Sequence, residues 1–345
     1  MRKVKGLWFV LAFITVLAVV VAGCGKSGTS SQGGGQPQGS KSTQQAAKGS
    51  AQGVKLTFLA GTPGGVWYAM AEGIAGVIRS EIPGAEVTVA QGSDAANIVR
   101  VQQGQADIAF AYANTIKSAL DGTGDFAGKA TPDVRVLTSV FPSVHHIVFN
   151  ANSGIKDVAD IKGKKVRVSM NTRASMMEVV GRNVLEGYGI TYDDIKNKGG
   201  EVLFVASKET NDLMRGGHLD GFFSNGPIPM SQTSELLADM KLNILPIKED
   251  IRDKLVQNLG AIKTEIPVGT YGNPQAVPTV AINGMLIVNK SMPQDLAYAI
   301  VKAMNKNADK LKAIHKDMAG LADIKYMGGT TLPVHPGAEK FFKGQ

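Results

Sequence analysis

The sequence predicts an α/β fold built as two lobes around a cleft, and three observations point to it. From Val54 onward strand-like and helix-like segments alternate, the pattern of a mostly parallel sheet covered on both faces. The rhythm is interrupted near residue 148 and then restarts, as it would where a chain leaves one lobe for another. Polar turns fall at three successive strand-to-helix handovers, where α/β sheets gather their ligand sites.

In chain order, Val54–Ala60 reads as strand and Val66–Arg79 as helix, followed by strand Ala85–Gln91 and helix Ala95–Gln103. Strand Ala106–Tyr112 and helix Ala113–Leu120 complete the first group. Asp133–Val140 and His145–Asn152 read as two strands around Phe141-Pro142-Ser143. Ser153 to Met170 gives a short helix, a stop at Gly163 and another strand. Helix Ala174–Glu186, strand Glu201–Ala206, helix Lys208–Arg215, strand Leu219–Ser224, helix Ser231–Met240 and strand Leu242–Ile247 follow. Strand Thr279–Asn289 then precedes one long helix, Pro293–Ala313. This reading sets residues 54–147 with 280–345 as lobe I and residues 148–279 as lobe II, the chain crossing near His146–Ser153 and returning near Thr279.

The first fifty residues differ in kind. Arg2, Lys3 and Lys5 precede a continuous apolar run, Leu7 to Val21, and Val21-Ala22-Gly23 supplies small residues before Cys24. That layout is a secretory signal; the run is short for a membrane span and breaks at Gly23-Cys24-Gly25. The stretch resembles a bacterial lipoprotein signal, which implies removal of residues 1–23 and lipidation of Cys24. Residues 24–53 are Gly, Ser and Gln with almost no apolar side chains, a composition that buries too little to order the backbone. As a coil the segment reaches roughly 5–6 Å × √n, a few nanometres, enough to let a body stand off a membrane.

Composition excludes several function classes. Cys24 is the single cysteine, so the chain has no disulfide framework, and a lipidated Cys24 leaves no thiol for catalysis or metal. The formal charge of +8 falls to +5 without the leader, and no basic stripe with interleaved aromatics marks a nucleic-acid partner. No Gly-x-Ser-x-Gly or His-Glu-x-x-His motif occurs, so a hydrolase or metalloprotease is not indicated. His145-His146 are strand neighbours pointing to opposite faces, one of them toward the core or hinge, while His218, His315 and His335 are scattered. No metal site or cofactor is expected, and Met176-Met177 read as core filler rather than a copper box.

The turn Gly61-Thr62-Pro63-Gly64-Gly65 opens a helix whose first N–H groups lack helical partners. Those donors and the positive helix end suit a carboxylate or phosphate, although a plain capping turn remains open. Val66-Trp67-Tyr68 stands where a nucleotide loop needs lysine, and the dinucleotide glycine spacing is absent. Gln91-Gly92-Ser93-Asp94 and Ala111-Tyr112-Ala113-Asn114 are the second and third turns, and Ser93 or Asp94 also suits a helix cap.

The stretches "LAGTPGGVWYAMAEGIAGVI", "VTVAQGSDAANIVRVQQGQADIAFAYAN", "VRVLTSVFPSVHHIVF", "GIKDVADIKGKKVRV", "LDGFFSNGPIPM", "IPVGTYG" and "LPVHPGAEKFF" resemble the TAXI family of extracytoplasmic solute-binding proteins, the receptors of TRAP transporters. The likeness runs over residues 54 to 343. It implies a type II periplasmic-binding-protein-like fold with a hinge and an interlobe ligand cleft. It also implies a lipid-anchored, extracytoplasmic protein that is not an enzyme. Its solute would be a small carboxylate or amino acid, glutamate and glutamine among the family's ligands, and its partner an ion-coupled TRAP-type permease. Two other readings of the chain are a ligand-sensing lipoprotein with a signalling partner and an extracytoplasmic enzyme on the same scaffold.

Carried over by position, the resemblance assigns Gly65, Trp67 and Tyr68 from the first turn, Gln91, Ser93 and Asn97 from the second, and Tyr112 and Asn114 from the third. Lobe II would add Asn171, Thr172, Arg173 and Ser175, then Ser224, Asn225 and Pro227. Trp67 stands where the family usually shows tyrosine. "MNTRAS" (Met170 to Ser175) replaces a turn that members of the resembled family generally build roughly as Gly-x-x-Gly-Ser-Gly. Arg173 there could fork onto a carboxylate or pair with a surface acid at the rim.

Overall fold

The computed structural model describes residues 53–345. The signal (1–23), the Cys24 lipidation site and all but the last residue of the tether (24–53) lie outside the described residues.

The first three βα steps form as their alternation predicts. β1 (Lys55–Leu59), α1 (Val66–Glu81), β2 (Glu86–Ala90), α2 (Asp94–Gln102), β3 (Ile108–Tyr112) and α3 (Ala113–Asp121) follow one another. β1 pairs in parallel with both β2 and β3. α1 buries Met70, Ala71, Ile74, Ala75 and Ile78, the i, i+4 stripe of an amphipathic helix.

Asp133–Val140 and His145–Asn152 are one strand, not two. β4 (Val134–Asn150) runs unbroken through Phe141-Pro142-Ser143. Proline is tolerated because β7 (Gly221–Gly226) begins to pair with β4 only at Val144, so Pro142 lies on a locally open edge where no ladder donor is needed.

The chain continues through β5 (Arg167–Ser169), α4 (Met176–Gly187), α5 (Tyr192–Asn197), β6 (Glu201–Leu203), α6 (Ser207–Arg215), β7, α7 (Ser231–Leu237), β8 (Leu242–Ile244), α8 (Glu249–Leu259) and β9 (Ile262–Ile266). α5, α8 and β9 are absent from the sequence reading, though α8 carries a plain stripe of buried Ile251, Leu255 and Leu259. β10 (Val277–Asn289) then returns along β4. The single helix expected over Pro293–Ala313 is two, α9 (Gln294–Lys306) and α10 (Ala308–Ile314). They break at Asn307, whose side chain donates to Glu81 Oε1 and Ala303 O. α11 (Ile324–Met327) and α12 (Pro336–Phe342) close the chain.

The strands form one sheet in the order β2-β1-β3-β10-β4-β7-β5-β6, with β8 beside β4 and β9 beside β10. β4 and β10 are its two long members. The C-terminal half of β10 pairs with β3 and its N-terminal half with β9, while β4 pairs with it from Ala281 to Asn289 and takes up β7 at Val144. The register between β4 and β10 shifts after Gly284. Both long strands therefore change partners within Phe141–Val144 and Ala281–Gly284, the joint between the lobes. Buried apolar side chains lie on both faces of the sheet in each lobe, as a doubly covered sheet requires.

Candidate functional site

At that joint the two lobes enclose a cavity of about 580 Å³. Lobe I contributes Gly61, Thr62, Gly65, Val66, Trp67 and Tyr112, and the joint contributes Phe141, Pro142 and Ser143. Lobe II contributes Met176, Met177, Asn225, Gly226, Pro227 and Ser231, and the C-terminal segment adds His315, Lys316 and Asp317. A more polar recess of about 640 Å³ adjoins it under α6 and α7, sharing Asn225, Gly226, Pro227 and Ser231.

Two helices open into the cavity from opposite lobes. α1 begins at Gly65 with no side-chain cap and no acidic residue in its first turn. Among the described residues the N–H groups of Val66 and Trp67 make no hydrogen bond. α4 begins after Ser175, whose hydroxyl accepts from Glu178 N, while the N–H groups of Met176 and Met177 likewise make none. Glu178 in that first turn accepts from Arg182 Nε at 3.2 Å and from Tyr192 Oη at 2.7 Å. Each helix thus presents two free donors and a positive end toward one space.

The lobe I wall is aromatic. Trp67 lies 4.9 Å from Tyr112 and 6.4 Å from Phe141, centroid to centroid, and Tyr112 meets Phe141 edge-on at 6.1 Å. Burial, and next the Asp94 carboxylate, push the Tyr112 hydroxyl up to about 12, so it stays protonated at neutral pH. Asp94 accepts from Tyr112 N at 2.9 Å and Thr115 Oγ1 at 2.7 Å, tying the second turn to the third. Burial raises its pKa.

Asn225 links the cavity floor to the joint. Its Oδ1 accepts from His145 Nδ1 at 2.7 Å and its Nδ2 donates to Ser143 O at 3.0 Å. On the other face of β4, His146 Nδ1 donates to Val144 O at 2.9 Å. Tyr271 Oη receives Met230 N–H and donates to His146 Nε2 at 2.9 Å. Both histidines are buried, where the sequence placed only one inward. Burial drops each to about 4, so both rings are neutral.

Of the residues assigned by resemblance, the structure brings Gly65, Trp67, Tyr112, Asn225 and Pro227 together in the cavity, and Ser224 into the adjoining recess. The others lie elsewhere. Tyr68 packs on the lobe I core and reaches Val89 O at 3.4 Å. Gln91 and Ser93 are exposed outside the cavity. Asn97 is fully buried, donating to Ala60 O and Phe110 O and accepting from Ser93 N, so it clips two strand ends. Asn114 is buried with Oδ1 unpartnered. Asn171 is buried beneath the turn, with Thr172 N bonded to its Oδ1; Thr172 itself is exposed and Ser175 is the α4 cap. Arg173 turns away from the cavity, its guanidinium 3.7 Å above the Phe204 ring.

The sequence reading missed Phe141, Pro142 and Ser143, for which the Phe-Pro-Ser interruption was a visible signal, and His315-Lys316-Asp317, for which no signal existed. Met176 and Met177 line the cavity rather than merely filling core. Among the described residues no three His, Cys, Asp or Glu side chains cluster as a metal would need, and no helix is long and apolar enough to cross a membrane.

The chain belongs to the NMT1-like family, whose model matches residues 58–345. Its fold is similar to that of a TctC solute binding protein from Polaromonas, at 13% identity and a TM-score of 0.52 over 84% of this chain and 96% of that one. It is also similar to the periplasmic aliphatic sulphonate binding protein SsuA from Escherichia coli, at 13% identity and a TM-score of 0.45 over 86% and 88%. The architecture is the two-lobed α/β fold of periplasmic binding proteins.

Proposed function

We propose that the protein is an extracytoplasmic solute-binding receptor of a transporter, taking a small carboxylate-bearing solute into the interlobe cavity. The observation that carries this reading is the pair of open helix starts, α1 and α4, whose unpaired N–H groups meet one cavity from opposite lobes. An anion bound there engages both ends at once, so it favours the closed arrangement over the open one by differential contact. β4 and β10 serve as the hinge, flexing where their partners change, between lobe I (54–147 with 280–345) and lobe II (148–279). The resemblance stated above supports an ion-coupled TRAP-type permease as the partner that recognises the closed shape, and Cys24 as the lipid anchor at the membrane. Glutamate, glutamine and related amino or organic acids are the first solutes to test.

A thermal-shift screen against amino acids, dicarboxylates, monocarboxylates, sugars and phosphate tests the reading. A carboxylate ligand at 100-fold excess over Kd adds about 2.7 kcal/mol of stability. Stabilisation by neutral sugars alone would contradict the anion site.

A further inference from the structure

The side chains between the two helix ends narrow the solute further. We infer that the cavity selects a monocarboxylate carrying a flat apolar body, an aryl acid above all, rather than an α-amino dicarboxylate. This rests on the carboxylate reading and specifies the remainder of the solute.

The walls carry the argument. Trp67, Tyr112 and Phe141 form one side, and Met176 and Met177 enter from α4 on the other. The three ring centroids lie 4.9–6.4 Å apart with their planes tilted or edge-on, the spacing of rings in direct contact. The rings pack on one another and leave a continuous apolar surface. Opposite it, unbranched thioethers adapt to the outline of a body and pack well against aromatic rings. A planar group between the two removes apolar surface from water on both of its faces.

Charge argues the same way. An α-amino dicarboxylate brings two carboxylates and an ammonium. The helix ends accommodate one carboxylate, and the cavity lining holds one ordinary cationic side chain, the exposed Lys316. Arg173, the residue placed to clamp a second carboxylate, lies over Phe204 and lines a different pocket. For the ammonium the lining offers Asp317, whose carboxylate lies 3.7 Å from His315 Nδ1. A second carboxylate among the rings and methionines would be desolvated, with the exposed Lys316 as its one cationic partner in the lining.

The test uses the full-length chain carrying Trp8→Phe, which leaves Trp67 as its single tryptophan. Phenylacetate, 3-phenylpropionate, glutamate, succinate and the neutral phenylacetamide are titrated, with Kd read from Trp67 emission and from calorimetry. The expected result is that an aryl acid binds at least tenfold more tightly than glutamate or succinate, and phenylacetamide at least tenfold more weakly than phenylacetate. In a variant whose thermal unfolding shows it folded, Phe141→Leu weakens phenylacetate at least threefold; if that variant does not fold, Met177→Ser replaces it with the same expectation. Tighter glutamate or succinate overturns the flat-body assignment and leaves the carboxylate reading standing. Equal binding of phenylacetamide and phenylacetate overturns the carboxylate reading. No binding by either aryl acid overturns the inference.

Discussion

The ring of Phe141 lies against the bare backbone of Gly284: a methyl group built on Gly284 would stand 2.0 Å from Phe141 Cζ. The two are register partners across β4 and β10, at the point where the register shifts. Phe141 belongs to the aromatic wall, so the missing side chain on one long strand sets the position of a wall residue on the other. Gly284→Ala should force the ring aside, costing about 1–3 kcal/mol by overpacking and weakening solute affinity. An unchanged melting temperature with unchanged affinity would show that the ring is free to move.

Asn171 and Ala174 have φ of 63° and 60°, the left-handed region that favours glycine. They lie in the Met170–Ser175 turn, which therefore keeps a glycine-type backbone with side chains on it. Asparagine tolerates that conformation better than alanine does. Ala174→Gly should stabilise the protein by about 1 kcal/mol and raise Tm by a few degrees, as a calorimetric scan would read. A fall in Tm would contradict the strain assigned to Ala174.

His145 and His146 make the joint acid-sensitive. Their pKa values are about 4 in the fold against about 6.5 in the unfolded chain. Between those values the unfolded state binds more protons, so stability rises with pH. It is fully present above about pH 6.5 and is lost as pH falls toward 4, on the order of 3 kcal/mol for each histidine. The neighbours described above are neutral: Asn225 for His145, and Tyr271 with the Val144 carbonyl for His146. Replacing both with glutamine should flatten the urea-unfolding profile between pH 4 and 6.5. An equally steep profile in that variant would assign the acid sensitivity to other groups.

Asn97 and Arg173 separate structural from ligand roles. Asn97→Ala removes three hydrogen bonds, two of them buried, and leaves backbone groups without partners, at about 1–3 kcal/mol for each buried group left unsatisfied. That loss should appear as a lower urea midpoint with solute affinity retained in the folded fraction. Arg173→Ala should change affinity by less than about 0.5 kcal/mol, as expected of a surface residue away from the site. A tenfold loss of affinity in Arg173→Ala would mean that its side chain leaves Phe204 for the cavity on closure.

The fold was legible where local pattern and tertiary position agree. The β1-α1 to β3-α3 succession reads directly because each buried strand is short, apolar and closed by a turn. β4 was not legible as one strand, since Pro142 signals a break and only the open edge beside it permits continuity. α9 and α10 read as one helix because their periodicity continues across Asn307, and the break there is made by tertiary hydrogen bonds. In the site, Gly65, Trp67 and Tyr112 follow from strand-to-helix handovers. Asn97 sits at such a handover too, yet its amide turns inward to satisfy backbone carbonyls, a choice that residue type does not reveal. His315-Lys316-Asp317 reach the cavity through the return path of the C-terminal segment, which no local pattern encodes.

Amide hydrogen exchange tests the central proposal, that helix starts from both lobes hold one solute. The chain is compared alone and with saturating phenylacetate or, separately, glutamate. Protection should rise together in peptides covering Val66–Trp67 and Met176–Met177, and in the joint strands around Phe141–Val144. Protection confined to one lobe with either bound acid would contradict a cavity that closes on its solute through both helix ends.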